Sequence, residues 1–183
     1  MPFQTQVSTQ PRPAVSGDYS DMNPRSSVNA GQGFLPGAAG LRAGANGVTI
    51  GCFAWWDTTT SVDPSTGPIL VNNTGAGTPT GFVHREQQGL ILTYLAEAGM
   101  VIPAGMGVTL MDTGGFWMQN AGPGNATIGQ KAFANTTNGT VQFGAAGGAV
   151  AGCVETRWRA LSNGLVGELV RTTSTSLGPI GTV

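Results

Sequence analysis

From Val48 onward the apolar residues come in short runs separated by Gly, Pro, Asn and Thr, too brief for helices and suited to β-strands. Val48 to Trp55 alternates loosely, and Ile69-Leu70-Val71 is a compact run rich in branched side chains. Val108 to Met111 and the run Gly115-Phe116-Trp117-Met118 are two further strands, with Asp112-Thr113-Gly114-Gly115 predicted as the turn between them. Glycine reaches positive φ without steric cost there, and Asp can bond to the backbone two residues on. Pro103-Ala104-Gly105 separates Met100-Val101-Ile102 from the next run, because proline has no N–H to give a ladder. Ala126 to Ile128 and Gln130 to Ala134 add two runs, and Asn138-Gly139 predicts a hairpin joining 130–135 to 140–143. Cys153 to Ala160 and Leu165 to Thr172 make a second pair around Ser162-Asn163-Gly164, with Arg157 and Arg159 on one face and Trp158 on the other. Leu90 to Glu97 mixes helix formers with Ile, Thr and Tyr and is read as a strand. The expected fold is all-β: a single β-barrel or β-sandwich-like domain of short antiparallel strands.

Residues 1–45 show neither period and are punctuated by Pro2, Pro11, Pro13, Pro24 and Pro36. They are expected to form an extended N-terminal arm on a β-rich domain of residues 46–183. Proline fixes φ and pushes its predecessor towards extended backbone, so an arm of this kind orders over a partner surface at reduced cost. Within it, residues 1–15 read as a tail. Asp18 to Leu41, with Tyr19, Met22, Phe34 and Leu35 as apolar anchors, reads as ordered against something.

Composition adds a reason to look for a partner. Only 9% of the 183 residues are charged, against about 25% in ordinary soluble domains. A surface so poor in charge is tolerated best when much of it is covered in an assembly; the alternative is a polar surface of Thr, Ser, Asn and Gln. A net charge of −1 gives no basic footprint for nucleic acid and no polybasic patch for lipid. Met1-Pro2-Phe3-Gln4 lacks the charged and apolar regions of a signal peptide, so none is expected, and no apolar run reaches the length of a membrane span. On that reading the sequons at Asn72, Asn125, Asn135 and Asn138 are products of composition, and Cys52 and Cys153 are expected to be buried free thiols, with a bridge across two neighbouring strands as the alternative.

Candidate chemistry is sparse. His84 is the single histidine, its neighbours on a strand point to opposite faces, and nothing else supplies a triad; a hydrogen-bonded structural role is expected for it. The acids form no paired constellation, and Gly75 to Gly81 lacks the spacing of a phosphate-binding loop. No enzyme activity, cofactor or metal is expected. Trp55, Trp56, Trp117 and Trp158 suit a core, a subunit interface or a ligand platform.

Several separated blocks, Asn23-Pro24-Arg25, Phe82 to Gln88, Met100 to Gly105, Phe116-Trp117 and Gly167-Glu168-Leu169-Val170, occur in one order across residues 17–172. In these blocks the chain resembles the structural cement, or capsid decoration, proteins of tailed bacteriophages. The resemblance implies a virion protein, assembled in the bacterial host cytoplasm, that binds the outer surface of the capsid. There it would bridge and stabilise subunits of the major capsid protein. It also implies a homo-oligomer, a trimer by preference and a dimer as the alternative. The expected assembly interface comprises Tyr19, Met22, Asn23, Pro24, Arg25, Phe34, Leu35, Arg85 and Glu86. Arg25 is included because its guanidinium suits bidentate contact with a carboxylate. A carbohydrate-binding β-domain displayed on a phage particle is the rival reading and would use the tryptophans.

Overall fold

The computed structural model describes residues 13–28, 40–57, 69–86 and 99–175. Among these there are thirteen strands and no helix. They are β1 (Ser26–Ser27), β2 (Leu41–Ala43), β3 (Val48–Thr49), β4 (Phe53–Trp56), β5 (Ile69–Asn72), β6 (Gly81–Val83) and β7 (Val101–Ile102), followed by β8 (Leu110–Thr113), β9 (Gly115–Gln119), β10 (Lys131–Asn135), β11 (Val141–Gly144), β12 (Cys153–Ala160) and β13 (Leu169–Thr173).

They form a six-stranded sheet in the order β1-β8-β6-β4-β5-β2, a five-stranded sheet in the order β11-β10-β12-β13-β9, and the small pair β3-β7. Of the two architectures the sequence left open, the sandwich is the one formed, and none of these sheets closes into a barrel. Neighbouring strands are antiparallel, with the exception of the parallel pair β2 and β5. The two larger sheets meet through Phe53, Trp55, Phe82 and Met111 on one side and Phe116, Met118, Ala132, Ala134, Val141 and Trp158 on the other. A second core lies on the opposite face of the six-stranded sheet, where Ala54, Val71, Val83 and Leu110 pack with Val48 and Ile102 of the β3-β7 pair. Hence the six-stranded sheet is covered on both faces, and β6 is buried at every position. Alternation along β4 and β6 sends Phe53 and Phe82 to one core and Ala54 and Val83 to the other.

Several expected elements differ in detail. Val48 to Trp55 is two strands, because the chain turns at Ile50-Gly51-Cys52, with Gly51 at φ 75°. The expected turn at 112–115 shrinks to Gly114 at φ 133°, and the strands it joins do not pair; they belong to different sheets. Gly114 is therefore a corner. Trp158 Nε1 and the Ser174 amide both donate to its carbonyl, at 3.1 Å each, while its own amide donates to Ser174 Oγ at 2.8 Å. Ala126 to Ile128 is no strand but a single bridge from Ala126 to Gly164. The second hairpin pairs β12 with β13 only at Arg159–Thr173 and Ala160–Thr172, and Leu165 and Glu168 close a turn through Leu165 N donating to Glu168 Oε2 at 2.8 Å. The β10-β11 hairpin, the break at Pro103 to Gly105 and the opposed faces of Arg157 and Trp158 match expectation. Leu90 to Glu97 lies outside the described residues.

Candidate assembly surface

Residues 13–28 run along the seam where the two large sheets come together. The Gly17 amide donates to Trp117 O at 2.8 Å, Trp117 N donates to Asp18 O at 2.9 Å, and Ser20 N donates to Gly115 O at 3.1 Å. These bonds cover the outer edge of β9. Further on, Ser26 and Ser27 pair with Thr113 and Met111 of β8, and Val28 N donates to Leu110 O at 2.8 Å. The segment thus binds both sheets in turn.

His84, just after β6, holds the segment's base. Its Nδ1 lies 2.8 Å from Gly17 O, an atom that can only accept, so Nδ1 is the protonated nitrogen. The same carbonyl accepts the Arg85 amide at 3.1 Å. Arg85 Nη1 reaches Asp18 Oδ1 at 3.1 Å, and Glu86 accepts a hydrogen bond from Thr109 Oγ1 at 2.7 Å while standing 4.0 Å from His84 Nε2. The structural role expected of His84 is the role it has.

Above His84 an aromatic ladder links this base to the core. The Tyr19 and His84 rings are 3.9 Å apart, Tyr19 and Phe116 5.4 Å, Phe116 and Phe82 5.1 Å, Phe82 and Phe53 5.4 Å, and Phe53 and Trp158 5.4 Å. Arg25 caps the outer end, its guanidinium carbon 3.7 Å from the Tyr19 ring centre. Burial raises the Tyr19 phenol above its ordinary pKa; Arg25 opposes this and Glu86 adds to it. Asp21 sits where a side chain on Gly115 would project, which fixes glycine at that position.

Of the expected interface residues, the structure brings Tyr19, Arg25, Arg85 and Glu86 together around His84. It sets Met22, Asn23 and Pro24 apart from them at an outward bend, with Met22 94% exposed. Phe34 and Leu35 lie outside the described residues. Sequence reasoning missed Asp18 and Phe116 as groups that hold the segment in place, through the Asp18–Arg85 ion pair and the Tyr19–Phe116 ring contact. Those partners lie far along the chain, so no local pattern marks them.

Two buried polar atoms on this seam, Asp21 Oδ2 and Arg85 Nε, have no hydrogen-bond partner among the described residues. A cleft of about 780 Å³ opens beside it, between Pro13 to Ser16, Ile50 to Cys52 and Gly167 to Leu169. Elsewhere Ile128, Leu165 and Val166 stand more than half exposed on two loops tied together by the Ala126–Gly164 bridge. Trp55 and Trp158 are buried, Trp117 is half-buried and Trp56 is exposed, so no aromatic platform of four forms. Among the described residues there is no group of three His, Cys, Asp or Glu side chains placed to hold a metal ion.

No curated protein matches the chain. A solved structure titled "The capsid of Myoviridae Phage XM1" contains a chain that shares its fold, with a TM-score of 0.56 at 14% identity, covering 95% of this chain and 98% of that one. The model of one protein family, the XM1 gp53 minor capsid protein, matches residues 3–173. With nearly its whole length inside that match, the chain belongs to the XM1 gp53 minor capsid protein family and is a structural component of a phage capsid.

Proposed function

We propose that this protein is a capsid cement: it binds the outer face of the phage shell as a homotrimer and bridges neighbouring subunits of the major capsid protein. The observation that carries this reading is the N-terminal segment, whose base is tied into the core by the Tyr19 ladder while Met22, Asn23 and Pro24 point outward. A rigid base with a projecting apolar tip suits docking, because the ordering entropy is met in folding and not again on binding. The family match supports the capsid setting, and the low charge supports a surface that is covered.

On this reading the mechanism is binding energy and not catalysis. Each copy bound across a subunit boundary favours the closed shell by mass action, and many copies multiply the effect. The test adds full-length protein to expanded shells that lack it and follows co-sedimentation and shell melting temperature. Saturable binding with a raised melting temperature is expected, and Met22→Asp should weaken binding by more than about tenfold, because burying an unpaired charge at a contact costs more than the roughly 1.4 kcal/mol that tenfold represents. Shells that bind no protein, or melt at the same temperature with and without it, would overturn the proposal.

A further inference from the structure

We propose that Asn46 is a site of self-modification, where the backbone nitrogen of Gly47 displaces the side-chain amide and leaves an acidic residue in the turn between β2 and β3. The chain offers this chemistry three times, at Asn46-Gly47, Asn138-Gly139 and Asn163-Gly164. Glycine puts no side chain in the way of ring closure. Hydrogen bonding then decides which of the three steps is open.

Two are closed. Asn138 Oδ1 accepts from Thr140 N at 3.1 Å and from Thr140 Oγ1 at 2.7 Å. Gly139 N, the nucleophile there, donates to Asn135 O at 2.8 Å, and Gly139 O accepts the Phe53 amide at 2.8 Å. Asn163 Oδ1 accepts from Ile128 N at 3.0 Å, and the amide and carbonyl of Gly164 form both bonds of the bridge to Ala126, at 3.1 and 2.8 Å. At each of these steps the side chain under attack and the attacking nitrogen are both held.

Asn46 differs. It is exposed, and its side chain has no hydrogen-bond partner among the described residues. Gly47 N donates to Gly44 O at 2.9 Å, the bond that closes the turn itself. A recess of about 450 Å³, lined by Ala45, Asp57, Leu70 and Asn72 as well as Asn46, gives the side chain room to turn. One turn hydrogen bond therefore stands between Asn46 and reaction.

Once freed and deprotonated, the Gly47 nitrogen bonds to Asn46 Cγ. The bond from Cγ to the amide nitrogen breaks, and ammonia leaves with the proton that Gly47 gave up. Water then opens the cyclic imide at either carbonyl. One opening leaves aspartate and the other isoaspartate, whose main chain carries an extra methylene. Either product makes the formal charge one unit more negative than −1.

The extra methylene falls where β3 has no slack. A side-chain carbon on Gly47 would lie 2.7 Å from the Ile102 carbonyl and 2.9 Å from Val101 Cγ1. Val48 pairs with Ile102, and both are buried in the second core. Isoaspartate at position 46 therefore pushes β3 out of register with β7 and loosens the cover of that core.

The test ages full-length protein in mildly alkaline buffer, native and in guanidinium, and maps its tryptic peptides by tandem mass spectrometry. Cleavage after Arg and Lys puts the three sites in separate peptides, 43–85, 132–157 and 160–171. In native protein, position 46 should become acidic at least about tenfold faster than 138 or 163, because two or more further hydrogen bonds, each worth about a factor of five, hold those sites closed. In guanidinium the three should react at similar rates. Asn46→Gln should remove the native signal, and protein carrying isoaspartate should lose hydrogen-exchange protection at β3 and β7. Native rates that are equal at the three sites, or a preference for position 46 that persists in guanidinium, overturn the assignment to the fold. Unchanged protection at β3 and β7 in the modified protein overturns the structural consequence.

Discussion

The two large sheets are built from opposite kinds of sequence. All five strands of the β11-β10-β12-β13-β9 sheet come from the continuous stretch 115–173, with β10 and β11 joined as a hairpin and β12 returning to pair with the other edge of β10. The six-stranded sheet gathers its members from residues 26–113 and places the first two at opposite edges. One is sequence-local and meets the central core with one face. The other is sequence-distant and is buried on both faces, with the arm as its last strand. In this molecule the distant sheet is the one packed on both faces, and its β1 edge is closed by a segment far in sequence from its neighbour β8.

The largest effect of that contrast is expected in the shared core. Phe82 is fully buried, with ring centres of Phe53, Phe116 and Trp158 at 5.4, 5.1 and 6.4 Å. Phe82→Ala should cost about 3–5 kcal/mol, the usual loss for a buried aromatic. Phe143, half-buried on β11 of the local sheet, should lose less than half as much. Urea titration of the two variants checks this, and equal losses would erase the distinction between the sheets.

The next effect lies where the sheets touch by backbone. Gly139, after the β10-β11 turn, has φ 70°, and the space a side chain would need is filled by the Phe53 carbonyl. Its own carbonyl accepts the Phe53 amide at 2.8 Å, while Asn73 Nδ2 donates to the Phe53 carbonyl, also at 2.8 Å. Gly139→Ala should cost about 1–3 kcal/mol from the left-handed backbone, with a further loss from displacing β4. A hydrogen-exchange measurement should show β4 amides losing protection with those of the hairpin. Loss confined to the hairpin would mean that the sheets are not coupled at this point.

The same contrast explains what could be read in advance. The β10-β11 hairpin was legible because its signal, Asn138-Gly139 between alternating runs, is contained within a dozen residues. The corner at Gly114 was misread as a hairpin turn because a glycine that redirects a strand to another sheet looks, in sequence, like one that folds it back. Gly51 likewise divides what the pattern gave as one strand, since its partners include Ser16 of the distant arm. At the assembly surface, Tyr19 and Arg25 could be picked out as an aromatic and a cation among polar residues. The Tyr19 stack on His84 that Arg25 caps, and the Asp18 to Arg85 pair whose members stand 67 residues apart, required the chain to fold back first.

The smallest effect separates the sheets by their thiols. Both cysteines are free, as expected, but the burial expected of each is complete only for Cys52, beside β4; Cys153, at the start of β12, is half-buried. Burial pushes the Cys52 thiol from the ordinary 9.0 up to about 11, and raises Cys153 as well. A raised value means that the folded state keeps the neutral thiol where the unfolded chain has already ionised. The stability Cys52 contributes is therefore fully present below pH 9.0 and is lost as the pH climbs through about 11. At neutral pH the difference should show in reactivity alone, because the thiolate is the nucleophile and access limits it. Ellman's reagent at pH 8 should label Cys153 slowly in the native protein and Cys52 only after unfolding in guanidinium. Cys153→Ser should leave the unfolding midpoint unchanged within about 0.5 kcal/mol, as for a surface position, and should remove the native-state signal. Rapid native labelling of both thiols would place the seam between arm and turn, where Ser16 Oγ meets Gly51 O at 3.4 Å, in frequent opening. That result would make the distant sheet weaker at its edge than its buried faces imply.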